Sequence, residues 1–125
     1  MMKPVDHFIQ VHDLVKNYAD GGRSVNAIDQ VSLSIDDGEF VTLMGRSGSG
    51  KSTLLSILGA LMRPTSGKVV VDSMDLYSLG REQRADFRSE YIGFVFQSFQ
   101  LIPYLTVLEN VGLPMAVSGL KKKKK

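Results

Sequence analysis

Residues 45–53 read Gly-Arg-Ser-Gly-Ser-Gly-Lys-Ser-Thr, and two apolar runs enclose them. Glu39-Phe40-Val41-Thr42-Leu43-Met44 comes before and is strand-like. Leu54 to Leu61 comes after, with apolar residues at the helical positions 54, 57, 58 and 61. Flexible Gly/Ser linkers are not bounded by two core-grade segments. Strand, glycine loop and helix in this order dictate an α/β unit. Gly45, Gly50, Lys51 and Ser52 fill the pattern G-x-x-x-x-G-K-[ST], the P-loop. A polyanionic phosphate tail needs many N–H donors converging on it. A loop offers them only where no Cβ blocks the approach, hence Gly45, Gly48 and Gly50. The helix that follows presents its N-terminal N–H groups and dipole to the same anion. Lys51 supplies a mobile charge for the terminal phosphates, and the Ser52 hydroxyl suits Mg²⁺.

The rest of the chain reads as alternating strands and helices. Phe8 to Val15 is predicted as a first strand, with Tyr18 to Gly22 as a turn. Val31, Leu33 and Ile35 alternate with Ser32 and Ser34, which predicts a strand with one wet face ending at Asp36-Asp37-Gly38. Lys68 to Asp72 predicts another strand, and Arg81 to Glu90 a helix. Tyr91 to Phe96 is a continuous apolar run, which predicts a buried strand ending at Gln97. Thr106-Val107-Leu108-Glu109 has capping-box spacing and starts a last helix. Ligands in open α/β sheets bind at the carboxyl ends of strands. The glycine loop and Gln97 both fall at such ends.

Composition narrows the alternatives. There is no Cys among the 125 residues, so disulfides and thiolate metal sites are excluded. No apolar run approaches the roughly 20 residues of a membrane-spanning helix. The formal charge of +2 comes from Lys121 to Lys125; without them ten basic residues face thirteen acidic ones. The body is mildly acidic and no nucleic-acid partner is expected. His7 and His12 lack metal-ligand spacing. Asp72 and Asp75 read as turn formers. No Asn-Lys-x-Asp segment occurs, which argues against a GTPase.

From Phe8 to Leu120 the chain resembles the ATP-binding subunit of an ABC transporter, most of all the lipoprotein-releasing and macrolide-exporting type. Gly38-Glu39-Phe40-Val41, Gly45 to Ile57, Arg63 to Gly67, Ile92 to Gln97 and Leu101 to Val111 carry the resemblance. It implies a P-loop NTPase fold of the ABC ATPase type, α/β, with an incomplete core sheet and an N-terminal antiparallel β subdomain. Residues 1–120 would be the N-terminal part of the ATP-binding domain and 121–125 a lysine tail. Gly45, Arg46, Ser47, Gly48, Ser49, Gly50, Lys51, Ser52 and Thr53 match the Walker A loop and would hold ATP. Tyr18 matches the aromatic residue that stacks on adenine; the alternative is an ordinary strand-end tyrosine. Gln97 matches the Q-loop glutamine, catalytic through Mg²⁺ or the attacking water; the alternative is a solvated strand cap. Ser52 and Gln97 would be the metal-facing pair. Implied partners are transmembrane permease subunits and a second ATP-binding subunit. The implied location is cytoplasmic, peripheral on the inner face of the cell membrane.

Hydrolysis in this family needs further parts. No apolar strand ending in an Asp-Glu pair follows Gln97, and neither a Leu-Ser-Gly-Gly-Gln segment nor a switch histidine is present. The expectation is a subunit truncated before its signature and Walker B segments, binding MgATP with little turnover. A catalytically inactive ATP-binding fragment without a transport role is the alternative.

Overall fold

A computed structural model describes residues 7–117; the lysine tail and residues 118–120 lie outside the described residues. Among the described residues, four strands form one antiparallel sheet, β1 (Ile9–Asp20), β2 (Arg23–Ile35), β3 (Ser66–Val71) and β4 (Met74–Asp75), in the order β2-β1-β3-β4. Three helices accompany it there: α1 (Lys51–Leu58), α2 (Arg81–Tyr91) and α3 (Val107–Val117).

The first two strands are longer than their apolar patterns suggest. β1 and β2 meet in a hairpin whose turn is only Gly21-Gly22, with φ of 52° and 85°. Two positive φ values match the right-handed twist of the flanking strands, and glycine adopts them without strain. The predicted turn at Tyr18 is therefore corrected. Tyr18 lies in β1, opposite Val25. The alternation in β2 holds, with Val31, Leu33 and Ile35 half-buried and Ser32 and Ser34 exposed. β1 bulges after Val11, where Asp13 takes φ 44°. Ser32 Oγ accepts the Asp13 N–H at 2.8 Å and so satisfies the donor that the bulge frees. Gly67 crosses this bulge so closely that a Cβ there would stand 2.5 Å from the Asp13 carbonyl oxygen.

Val11 and Leu14 of β1 and Val69 and Val71 of β3 meet Leu54 and Ile57 of α1 and Phe87 of α2 in one core cluster. Each such burial contributes roughly 1.5–3 kcal/mol, enough to hold α1 against the sheet. α1 buries one face only: Leu54 and Ile57 are inside, Leu55 outside. Carbonyls at the end of α1 and in the turn after it take side-chain donors from Tyr77, ahead of α2, and from Arg88, within α2. The Tyr77 hydroxyl lies 2.5 Å from Ile57 O and 2.7 Å from Met62 O, its one proton serving one at a time. Arg88 Nη1 donates to Ala60 O at 3.0 Å. Ile57 O also accepts the Ala60 N–H at 3.0 Å, so these side chains pin the turn that follows α1 rather than the helix alone. Burial pushes the Tyr77 pKa up to about 12, against the pull of Arg84, Arg63 and Arg88.

Two predicted strands are corrected. Glu39 to Met44 and Ile92 to Phe96 belong to no ladder among the described residues. Phe40 is 93 % exposed and Val95 fully exposed. Apolar and β-branched composition makes a segment fit for a sheet. A strand forms only when another backbone supplies its hydrogen bonds. The helix start at Thr106 stands: Thr106 N donates to Glu109 Oε2 at 2.7 Å and Glu109 N to Thr106 Oγ1 at 3.3 Å. The Thr106 N–H, and the Thr106 hydroxyl that donates to the same Oε2 at 2.8 Å, hold the exposed Glu109 carboxyl below the usual carboxylate range.

Candidate functional site

The glycine loop is built by two constraints, one conformational and one steric. Gly48 and Gly50 take φ of 79° and 90°. Gly50 also packs on β2: a Cβ would lie 2.2 Å from the Ala27 carbonyl oxygen. A side chain at this position would have to displace sheet backbone. Gly50 is at the same time the N-cap of α1, its carbonyl accepting Leu54 N–H at 2.9 Å. The loop thus turns sharply into the helix, and the first-turn N–H groups of α1 face the loop.

Lys51 closes the loop. Its ammonium donates to Gly45 O at 2.8 Å, Arg46 O at 2.7 Å and Ser49 Oγ at 3.1 Å. All three protons are engaged by the loop itself, which centres the charge inside the curve of backbone. A phosphate oxygen arriving there meets a charge already in place and replaces neutral acceptors by an anionic one, a stronger bond. A Cβ on Gly45 would stand 2.7 Å from Ser49 Oγ, a contact that a turn of the Ser49 side chain relieves. The Arg46 side chain is exposed, as its place outside the fixed positions of the pattern implies. The Ser47 and Ser52 side chains are exposed too, so the Ser52 hydroxyl is open to a cation in the first turn of α1. A cleft of about 320 Å³ runs beside the loop, lined by Ala27, Asp29, Leu43, Gly45, Gly50 and Lys51 among others.

Tyr18 comes to this region from 35 residues away: its hydroxyl is 3.3 Å from Thr53 Oγ1 and donates to Met62 Sδ at 2.9 Å. Gln97 does not join them. It is exposed in a bend after Phe96, and no hydrogen bond links it to the loop among the described residues. The segment leading to it does touch α1. A Cβ on Gly59 would lie 2.7 Å from Phe94 Cε1, so Gly59 makes room for the Phe94 ring at the helix end. Phe94 stacks on Phe96 at 5.5 Å between centroids. Sequence reasoning missed Gly59; the signal was a small pair, Gly59-Ala60, inside an otherwise bulky run. It also missed Asn110. That amide bridges Ile102, Leu105 and Thr106, accepting Ile102 N–H at 2.8 Å and donating to Leu105 O at 3.1 Å. It shapes the loop that leads into α3.

A glycine loop packed on β2, opening a helix with the lysine folded back, defines a P-loop α/β protein. The chain belongs to the ABC transporter family, whose model matches residues 28–125. It is 45% identical over 114 residues to the lipoprotein-releasing system ATP-binding protein LolD of Geobacter metallireducens, covering 91% of this chain and 51% of LolD. It is 44% identical to the uncharacterized ABC transporter ATP-binding protein MJ0796 of Methanocaldococcus jannaschii, covering 94% of this chain and 52% of that protein. The dimeric post-hydrolysis structure of the MJ0796 cassette bound to ADP and Pi matches with a TM-score of 0.83, over 88% of this chain and 47% of the cassette. The macrolide export ATP-binding/permease protein MacB of Syntrophobacter fumaroxidans is 46% identical, over 89% of this chain and 16% of MacB. The chain spans about half the length of LolD and MJ0796. Among the described residues no helix is long and apolar enough to cross a membrane.

Proposed function

We propose that this chain carries the ATP-binding site of an ABC transporter subunit that couples MgATP binding to transport by membrane partners. The observation that carries the reading is the loop itself. Gly50 is forced by both its φ and Ala27, and Lys51 is held at the centre of the curve by three loop acceptors. Gly45 to Thr53 would hold the phosphates through backbone N–H groups. Lys51 would neutralise the terminal phosphates, and the Ser52 hydroxyl would ligate Mg²⁺. The cation would spread the phosphate charge and draw the phosphate oxygens together. Tyr18 would carry the adenine on its ring. Gln97 would serve as the second polar group toward the metal and as the contact that senses a membrane subunit. No hydrogen bond ties Gln97 to the loop among the described residues, so that role needs its side chain to reach the bound metal from the 92–97 segment. The likeness to MJ0796, solved as a dimer with ADP and Pi, supports nucleotide binding and pairing with a second ATP-binding subunit. The likeness to LolD and MacB supports permease partners, a position peripheral to the inner face of a membrane, and lipoprotein-like or macrolide-like cargo.

Turnover is a separate matter. The sequence holds no strand-end Asp-Glu pair after Gln97 to activate water. The first test is therefore of binding. Calorimetric titration with MgATP tests the binding site. Lys51→Ala removes one charge-assisted contact, worth about 1.5–3 kcal/mol, and should weaken affinity by roughly ten- to hundredfold. Equal affinity of the two proteins would reject the site.

A further inference from the structure

Tyr18 is held on three sides by groups that the P-loop pattern does not include. Lys16 Nζ sits 5.2 Å from the centroid of the Tyr18 ring. The same ammonium donates to Arg63 O at 2.9 Å, which fixes it over the ring. The Tyr18 hydroxyl gives its proton to Met62 Sδ at 2.9 Å. The Thr53 hydroxyl, 3.3 Å away, is then the one that donates to the Tyr18 oxygen. The strand carrying Tyr18 is hitched to the same stretch of chain. Asn17 N donates to Thr65 Oγ1 at 2.9 Å and Thr65 N to Val15 O at 2.8 Å. Lys16, Tyr18 and Asn17 thus all register on residues 62–65, just beyond the end of α1.

We infer that Lys16 and Met62 are positioning residues for nucleotide binding: they lock the Tyr18 ring with one face under the Lys16 ammonium and the other free for a base. The inference rests on the proposed role of Tyr18 as the adenine platform. A tyrosine at a strand end is otherwise free to turn about two side-chain bonds, and ordering it on binding costs affinity. The cation engages the negative face of the ring, so a planar base stacks on the opposite face. Met62 and Thr53 set the rotation of the ring about its long axis. Thr53 lies in the first turn of α1, directly after Lys51 and Ser52, so base platform and phosphate loop move as one piece. Base affinity then depends on residues that touch neither base nor phosphate.

The experiment titrates the 125-residue chain with MgATP and, separately, with magnesium tripolyphosphate, which has the phosphates and no base. Lys16→Met keeps the stem and removes the cation; Met62→Leu keeps the volume and removes the sulfur acceptor. Each should weaken MgATP by about two- to fivefold and leave tripolyphosphate unchanged. Lys16→Arg, which keeps a cation over the ring, should retain more MgATP affinity than Lys16→Met. Tyr18→Ala calibrates the platform itself. If Tyr18→Ala weakens MgATP while Lys16→Met and Met62→Leu do not, the positioning roles are overturned and the platform stands. If Tyr18→Ala is also silent, both fall. If the two variants weaken tripolyphosphate as much as MgATP, they act on the loop as a whole, and the proposal is again overturned.

Discussion

Replacing Gly50 and Gly48 by alanine, one at a time, separates the two reasons why the loop needs glycine. Both residues lie at positive φ, 90° and 79°. Forcing an L-residue there costs about 1–3 kcal/mol in either case. Both variants also gain the same few tenths to 1 kcal/mol from a stiffer unfolded chain, so this cancels in the comparison. What differs is the space. A Cβ at Gly48 meets nothing within 4 Å, whereas at Gly50 it meets Ala27 O at 2.2 Å. That oxygen belongs to β2 and cannot swing aside as a side chain would. Relieving the clash means shifting sheet backbone against α1, an overpacking cost of roughly 1–3 kcal/mol. Gly50→Ala should therefore lose about 2–5 kcal/mol and Gly48→Ala about 1–2. Urea denaturation followed by far-UV circular dichroism reads both. Equal losses would refute the steric half of the argument, since strain alone treats the two positions alike.

Tyr77→Phe removes the hydroxyl shared by Ile57 O and Met62 O and should lower stability by about 1–3 kcal/mol in the same denaturation assay. Because the folded pKa of Tyr77 is raised from 10.0 to about 12, its contribution is complete below pH 10 and is lost as pH rises toward 12. Wild-type stability should fall across that window more steeply than that of the phenylalanine variant; parallel curves would mean the hydroxyl is not buried as described. The unpaired apolar segments at 39–44 and 92–96 should make the chain self-associate, since open apolar edges pair with other chains. Sedimentation velocity over a dilution series checks this, and Val95→Lys should shift the population toward monomer.

The short-range chemistry of this protein was legible in its residues. Gly45, Gly50, Lys51 and Ser52 declare a loop and a helix start because the requirements they meet are local: positive φ, absent Cβ, a charge within reach of its own loop. Thr106 and Glu109 declare a helix start for the same reason, their bonds spanning three residues. The alternation in β2 marked its wet face. The resemblance carried the antiparallel subdomain, which the sheet order bears out.

Tertiary structure decided what depends on distant chain. It put Tyr18 inside β1 rather than in a turn, because two glycines suffice for the hairpin and pairing runs on to Asp20. It brought Tyr18 to Thr53 and Met62, contacts 35 and 44 residues apart that no local pattern encodes. It made Gly50 steric as well as conformational, through Ala27. It also withheld strands at 39–44 and 92–96, whose composition is right for a sheet. Propensity belongs to a segment and can be read from it. Pairing belongs to two segments, and only the folded arrangement says whether the second one is there.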